Sequence, residues 1–124
     1  MNDSTLSRLS EFRQLKKEIR GSDRHLIVGI DVAKEKHHAF FGAATGRSFL
    51  RRLIFENNKE GFETLLHRAQ AIMTQEGLAK VVFGVEPTAD YHKPLAEYLI
   101  NNGLSVVLVS NGAIKNNQIG RAHV

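Results

Sequence analysis

Leu26-Ile27-Val28-Gly29-Ile30-Asp31-Val32-Ala33-Lys34 is an apolar run broken near its end by a single carboxylate. A short apolar run of this kind reads as a strand buried on both faces. An ionised acid is expelled from such a place unless a base, a set of hydrogen-bond donors or a metal ion offsets its desolvation. Asp31 is therefore the residue to explain. A second run, Lys80-Val81-Val82-Phe83-Gly84-Val85-Glu86, repeats the pattern and also ends in a carboxylate, before Pro87 and Thr88 stop it. Leu104 to Val109 is a third apolar, β-branched strand.

Outward from the first strand, Lys36 to Ala43 and Phe49 to Phe55 are both strand-like. Ala44-Thr45-Gly46-Arg47 supplies a short Gly-containing connection, so the two read as a hairpin. Three short strands in such close succession are expected to be antiparallel neighbours. Phe62, Leu65, Leu66, Ala69, Ile72 and Met73 then fall on one helical stripe, with Asn57 or Asn58 as cap and Gly77 as end. After Glu86, the residues Tyr91, Pro94, Leu95, Tyr98 and Leu99 give a further amphipathic helix closed by Asn102-Gly103. Pro94 is tolerated near its first turn, Thr88 reads as its cap, and Asp90 favours its dipole.

Ahead of these elements, Leu6, Leu9, Phe12, Leu15 and Ile19 recur at three- or four-residue intervals, with Arg8, Arg13, Lys16, Lys17 and Arg20 on other faces. The spacing predicts an amphipathic helix from Ser4 to Arg20, whose plain reading is a peripheral helix with a solvated charged face. Gly21-Ser22-Asp23 breaks the pattern as a linker.

The element order predicts an α/β fold: a strand-helix-strand crossover adds a parallel pair to an antiparallel meander. With the fourth strand docked beside the first, the mixed five-stranded sheet takes the order 3-2-1-4-5. The connections then reverse between strands 1 and 4, the switch point at which open α/β sheets place their sites. Adjacent strands lie about 4.8 Å apart, which makes Asp31 and Glu86 neighbours at the carboxyl ends of those strands.

At 124 residues the chain has room for one domain with one core. A charged fraction of 24% against 42% hydrophobic is ordinary globular composition and argues against general disorder. The formal charge of +4 is compatible with a polyanionic partner. The lack of cysteine excludes disulfides and thiolate chemistry. No apolar run approaches the roughly 20 residues of a membrane helix. A cytoplasmic protein with no membrane partner is expected.

Two ionised acids this close repel each other unless a cation intervenes. Mg²⁺ suits such a gap, because it takes oxygen ligands at roughly 2.0 to 2.1 Å and is usually held by one or two carboxylates plus substrate phosphates. A pair of such ions can clamp the attacking and leaving oxygens of a phosphodiester displacement. Each acid also reads as a strand end that meets solvent or a nearby lysine, and spacing alone leaves the two readings level. Lys34 reads as a solvated lysine of the turn. His37 and His38 are adjacent and face opposite sides of a strand, so they read as structural or surface residues, as does His67 on the charged side of its helix. Tyr91 reads as core.

Val28-Gly29-Ile30-Asp31-Val32-Ala33-Lys34, followed by Gly84-Val85-Glu86-Pro87-Thr88-Ala89-Asp90-Tyr91 and by Leu104-Ser105-Val106-Val107-Leu108-Val109, closely resembles the N-terminal domain of DEDD-type transposases of insertion-sequence family 110. These are related to the Piv DNA invertases. The resemblance runs from about His25 to Asn117, and Ala89 stands where the family commonly has Gly. It implies a RuvC-like, RNase H-like fold, incomplete at its C-terminus. It also implies Mg²⁺- or Mn²⁺-dependent DNA strand cleavage and transfer in the full-length protein, with Asp31 and Glu86 as the first D and the E of the acid set. The other two aspartates are expected in a helical segment following the stretch around Lys115, and a serine nucleophile in a second domain. No aspartate follows Asp90 in these 124 residues. The resemblance further implies DNA as partner, a structured guide RNA, and a homo-oligomer in the full-length protein.

The sequence is therefore divided into an N-terminal helix and linker (1–24), a partial RNase H-like domain (25–118) and a tail (119–124). That tail, Ile119-Gly120-Arg121-Ala122-His123-Val124, resembles what a common sequencing adapter encodes in one frame and is expected to be foreign. An unbroken genomic read encoding the same residues would refute that. The expectation is a truncated transposase fragment, inactive or nearly so and binding metal weakly, since removing one group from a concerted site costs most of the activity. A non-catalytic nucleic-acid-binding or assembly module is the alternative. An ATP-binding domain of the actin and sugar-kinase type ranks last, because Val32-Ala33-Lys34 lacks the hydroxyls and glycine that contact phosphate there.

Overall fold

The computed structural model describes residues 24–110 and 113–114. The helix expected over 4–20, the linker at 21–23 and the tail at 119–124 lie outside them. The element order is β1 (His25–Asp31), β2 (Lys36–Ala43), β3 (Ser48–Glu56), α1 (Lys59–Glu76), β4 (Lys80–Glu86), α2 (Lys93–Asn101), β5 (Ser105–Ser110) and β6 (Ala113–Ile114).

The sheet has the expected order 3-2-1-4-5, extended by the two-residue β6 at the β5 edge. β1 is antiparallel to β2 and parallel to β4, and β4 is parallel to β5. The β2–β3 hairpin closes through Ala43 N–H donating to Arg47 O at 2.8 Å and Gly46 N–H donating to Ala43 O at 3.0 Å. Its register shifts on both sides of Phe41, between Ala39 and Phe41 and again between Phe41 and Gly42. Irregularities of this kind re-aim side chains.

Alternation along the strands sorts side chains onto two faces. Leu26, Val28 and Ile30 of β1 join Phe41, Phe83, Val85 and Val106 in one core. Into that core α1 sends Phe62, Leu65, Ala69 and Ile72, and α2 sends Leu95, Ala96 and Leu99. Ile27, Val107 and Val109 form a smaller cluster on the other face, and no described helical residue joins it. Both described helices therefore cover one side of the sheet.

Asn58 caps α1. Its backbone is extended and its Oδ1 accepts from Gly61 N–H at 2.8 Å, and Gly77 ends the helix. The start of α2 differs from the sequence expectation. It begins at Lys93 with His92 as N-cap and Pro94 at its first positions. Proline fixes the start where its missing N–H costs nothing. Thr88 therefore caps no helix, and its carbonyl instead accepts from Tyr91 N–H in a turn at 3.1 Å. Asp90 stands ahead of the helix and pairs with Lys93 at 3.2 Å. Tyr91, expected in the core, is 36% exposed because helical periodicity does not extend to it.

Candidate functional site

Asp31 and Glu86 are directly opposite each other in the parallel β1–β4 pairing, each the last residue of its strand. Both are partly buried, so neither carboxylate sits in the dry interior that the apolar run suggested. They lie on the face opposite α1 and α2, since Val28, Ile30, Phe83 and Val85 point the other way. The row continues outward: Asp31 is opposite His38 on β2, and His38 is opposite Ile54 on β3. Residues directly opposite share a face, with Cβ atoms about 4.5 to 5.5 Å apart. Ile54, His38, Asp31 and Glu86 thus form one line across the carboxyl end of β1.

The row beneath the acids has small residues in two strands, Gly29 of β1 opposite Gly84 of β4. Phe40 is opposite Gly29, and its ring covers it: a Cβ at Gly29 would collide with Cζ of Phe40 and lie 2.6 Å from Cε2. A side chain at this position, two residues before Asp31, would have to displace the Phe40 ring.

Behind Asp31, a polar clamp holds the β1–β2 turn. The His37 ring is fully buried, edge-on to Phe55 at 5.2 Å and stacked on Phe62 at 6.4 Å. Its Nδ1 accepts from Ala33 N–H at 3.1 Å. Asn57 Nδ2 donates to Lys34 O at 3.0 Å, and Asn57 N–H donates to Glu35 O at 2.8 Å. His37 Nε2 and Asn57 Oδ1 are both buried without a fully formed hydrogen bond among the described residues. Burial lowers the His37 pKa below the ordinary value; Asn57 and the charge of Asp31 oppose this, and His38 adds to it. His37 is therefore a neutral structural acceptor. His92, after Glu86, is also buried, and its pKa is lowered by burial and by Lys93 against the effect of Asp90.

Lys34 and His67 are exposed, as expected. His38 was legible as facing away from His37, but its place beside Asp31 was not, because that depends on the β1–β2 register. Among the described residues no group of three or more His, Asp and Glu side chains is placed to hold a metal ion. Asp31 and Glu86 thus stand as a pair of carboxylates without a third His, Asp or Glu placed to share a metal ion among the described residues. Such a pair fits Mg²⁺, which takes one or two protein carboxylates and fills its shell with water or phosphate.

The model of the DEDD transposases of insertion-sequence family 110, described as a transposase, matches residues 28–123. The chain belongs to that family. The match takes in both Asp31 and Glu86, and the sheet described above is the RNase H-like one that the family implies. A search of curated proteins returns no match. Among the described residues of this transposase domain, no helix is long and apolar enough to cross a membrane.

Proposed function

We propose that this transposase domain contributes Asp31 and Glu86 as two of the four metal-binding acids of a DNA cleavage and strand-transfer centre. The observation that carries this reading is the in-register placement of the two carboxylates at the ends of adjacent parallel strands, where the strand order reverses. When bound there, Mg²⁺ or Mn²⁺ would polarise a scissile phosphodiester. The chain's own part is to hold the two carboxylates one strand apart and to fix the turn after Asp31 through His37 and Asn57. The other two acids belong to sequence beyond the stretch around Lys115. DNA is the substrate, with a structured guide RNA, homo-oligomerisation and a cytoplasmic setting as properties of the full-length protein.

Titrating Mn²⁺ into the 124-residue chain, followed by water-proton relaxation, tests the assignment. Weak binding that either Asp31→Ala or Glu86→Ala removes is expected. Tight binding indifferent to Asp31→Ala contradicts it. Absence of metal binding together with salt-sensitive DNA binding that survives both substitutions would favour a non-catalytic binding module.

A further inference from the structure

We propose that His38 and Arg52 form a phosphate-binding pair beside the acid row, through which the β2–β3 edge holds a DNA strand against Asp31 and Glu86. The proposal rests on the reading of those acids as the reaction centre and adds the group that would bring the strand to it.

His38 is the cross-strand neighbour of Asp31 on the open face. Its Nδ1 accepts from Arg52 Nε at 3.4 Å, which leaves His38 Nε2 as the ring's second polar atom and the two terminal amines of Arg52 as donors. Three cations of the domain are paired with carboxylates. Lys36 pairs with Glu56 at 3.9 Å, Arg47 with Glu76 at 3.2 Å and Lys93 with Asp90 at 3.2 Å. Arg52 has no carboxylate partner among the described residues, and its contact is to a ring nitrogen that accepts from it. Among the described residues its charge is oriented without being neutralised.

Two further observations fix the kind of partner. Ile54, the next residue of the same row, is 50% exposed, an apolar surface against which a sugar or base can pack. β3 is the edge strand of the sheet, so the row opens onto solvent on that side among the described residues. A guanidinium, an imidazole and an exposed aliphatic in one line match a nucleic-acid strand, in which phosphate contacts set position and apolar contacts meet sugar and base. A basic pair beside the two carboxylates also offsets their repulsion of a phosphate brought to them.

The test is fluorescence anisotropy of a labelled single-stranded DNA oligonucleotide with the full 124-residue chain in EDTA, across a salt series. Circular dichroism on each variant confirms folding. Arg52→Ala is expected to weaken binding about five- to tenfold and to lower the salt slope by about one phosphate contact. Arg52→Lys should restore the slope but only part of the affinity, because it loses the planar fork. His38→Ala should weaken binding less than Arg52→Ala, and Asp31→Asn should tighten it. Unchanged affinity and slope in Arg52→Ala and His38→Ala, or no binding by the unsubstituted chain, overturns the proposal. Tighter binding of an RNA strand of the same sequence overturns the choice of DNA. Mn²⁺ titration of the same variants separates the two readings. Arg52→Ala that keeps acid-dependent Mn²⁺ binding but binds DNA normally sinks this proposal alone. Mn²⁺ binding indifferent to Asp31→Ala sinks the metal-site reading alone.

Discussion

Ala89 is the one non-glycine residue with positive φ among the described residues, at 49°, three positions after Glu86. A left-handed backbone costs an L-residue about 1–2 kcal/mol, and the resemblance marks this position as commonly glycine. Glycine's extra freedom in the unfolded chain takes back about 0.4–1 kcal/mol. Ala89→Gly is therefore expected to raise the urea midpoint slightly, by less than about 1 kcal/mol of stability, and a lower midpoint would show that Ala89 carries no strain. His37 gives a pH dependence at the same scale. Burial lowers its pKa from 6.5, and the same holds for His92. The unfolded chain therefore binds more protons than the folded one below about that value. Stability from these groups is complete above pH 6.5 and is lost as pH falls from there toward the folded pKa values, at most about 1.4 kcal/mol per pH unit for each group. Urea titrations between pH 7.5 and 5 should show this decline, shallower in His37→Asn; a flat profile would contradict burial of neutral rings. These features were invisible in the sequence, where His37 and His38 differ only in parity.

The first turn of α1 lies hard against the end of β3. A Cβ at Gly61 would collide with the carbonyl oxygen of Glu56 and approach Glu56 C and N to 2.7 Å. These are backbone atoms, so the helix itself must move. In a solvated helix Gly→Ala gains about 1 kcal/mol. Here overpacking reverses the sign, and Gly61→Ala is expected to cost about 1–3 kcal/mol in urea unfolding. A gain in stability would mean that the helix is not held at this distance. Element bounds were readable where local chemistry sets them. Asn58 and Gly77 delimit α1, and Glu56 lies next to the predicted end of β3. The start of α2 was misplaced because Thr88, Asp90 and Tyr91 each suit a first turn, while the proline at 94 overrides all three.

At the scale of the whole molecule, two described helices cover one face of a six-stranded sheet, and the acids lie on the other. This division follows from alternation. In β1 the buried Leu26, Val28 and Ile30 commit one parity to the helices, and Asp31 falls in the other. The sequence by itself determined the strands, the first long helix, the order 3-2-1-4-5 and the pairing of Asp31 with Glu86, since each follows from short-range patterns and from the limited ways of connecting them. Only the tertiary structure decided which residues stand beside that pair. The line of Ile54, His38, Asp31 and Glu86, the Phe40 ring over Gly29 and the His37–Asn57 clamp depend on strand register and on the irregular pairing around Phe41, and a shift of one residue exchanges the faces of an entire strand. Hydrophobic pattern fixes where a strand is; the register that brings side chains together across strands is settled by packing between segments far apart in the chain.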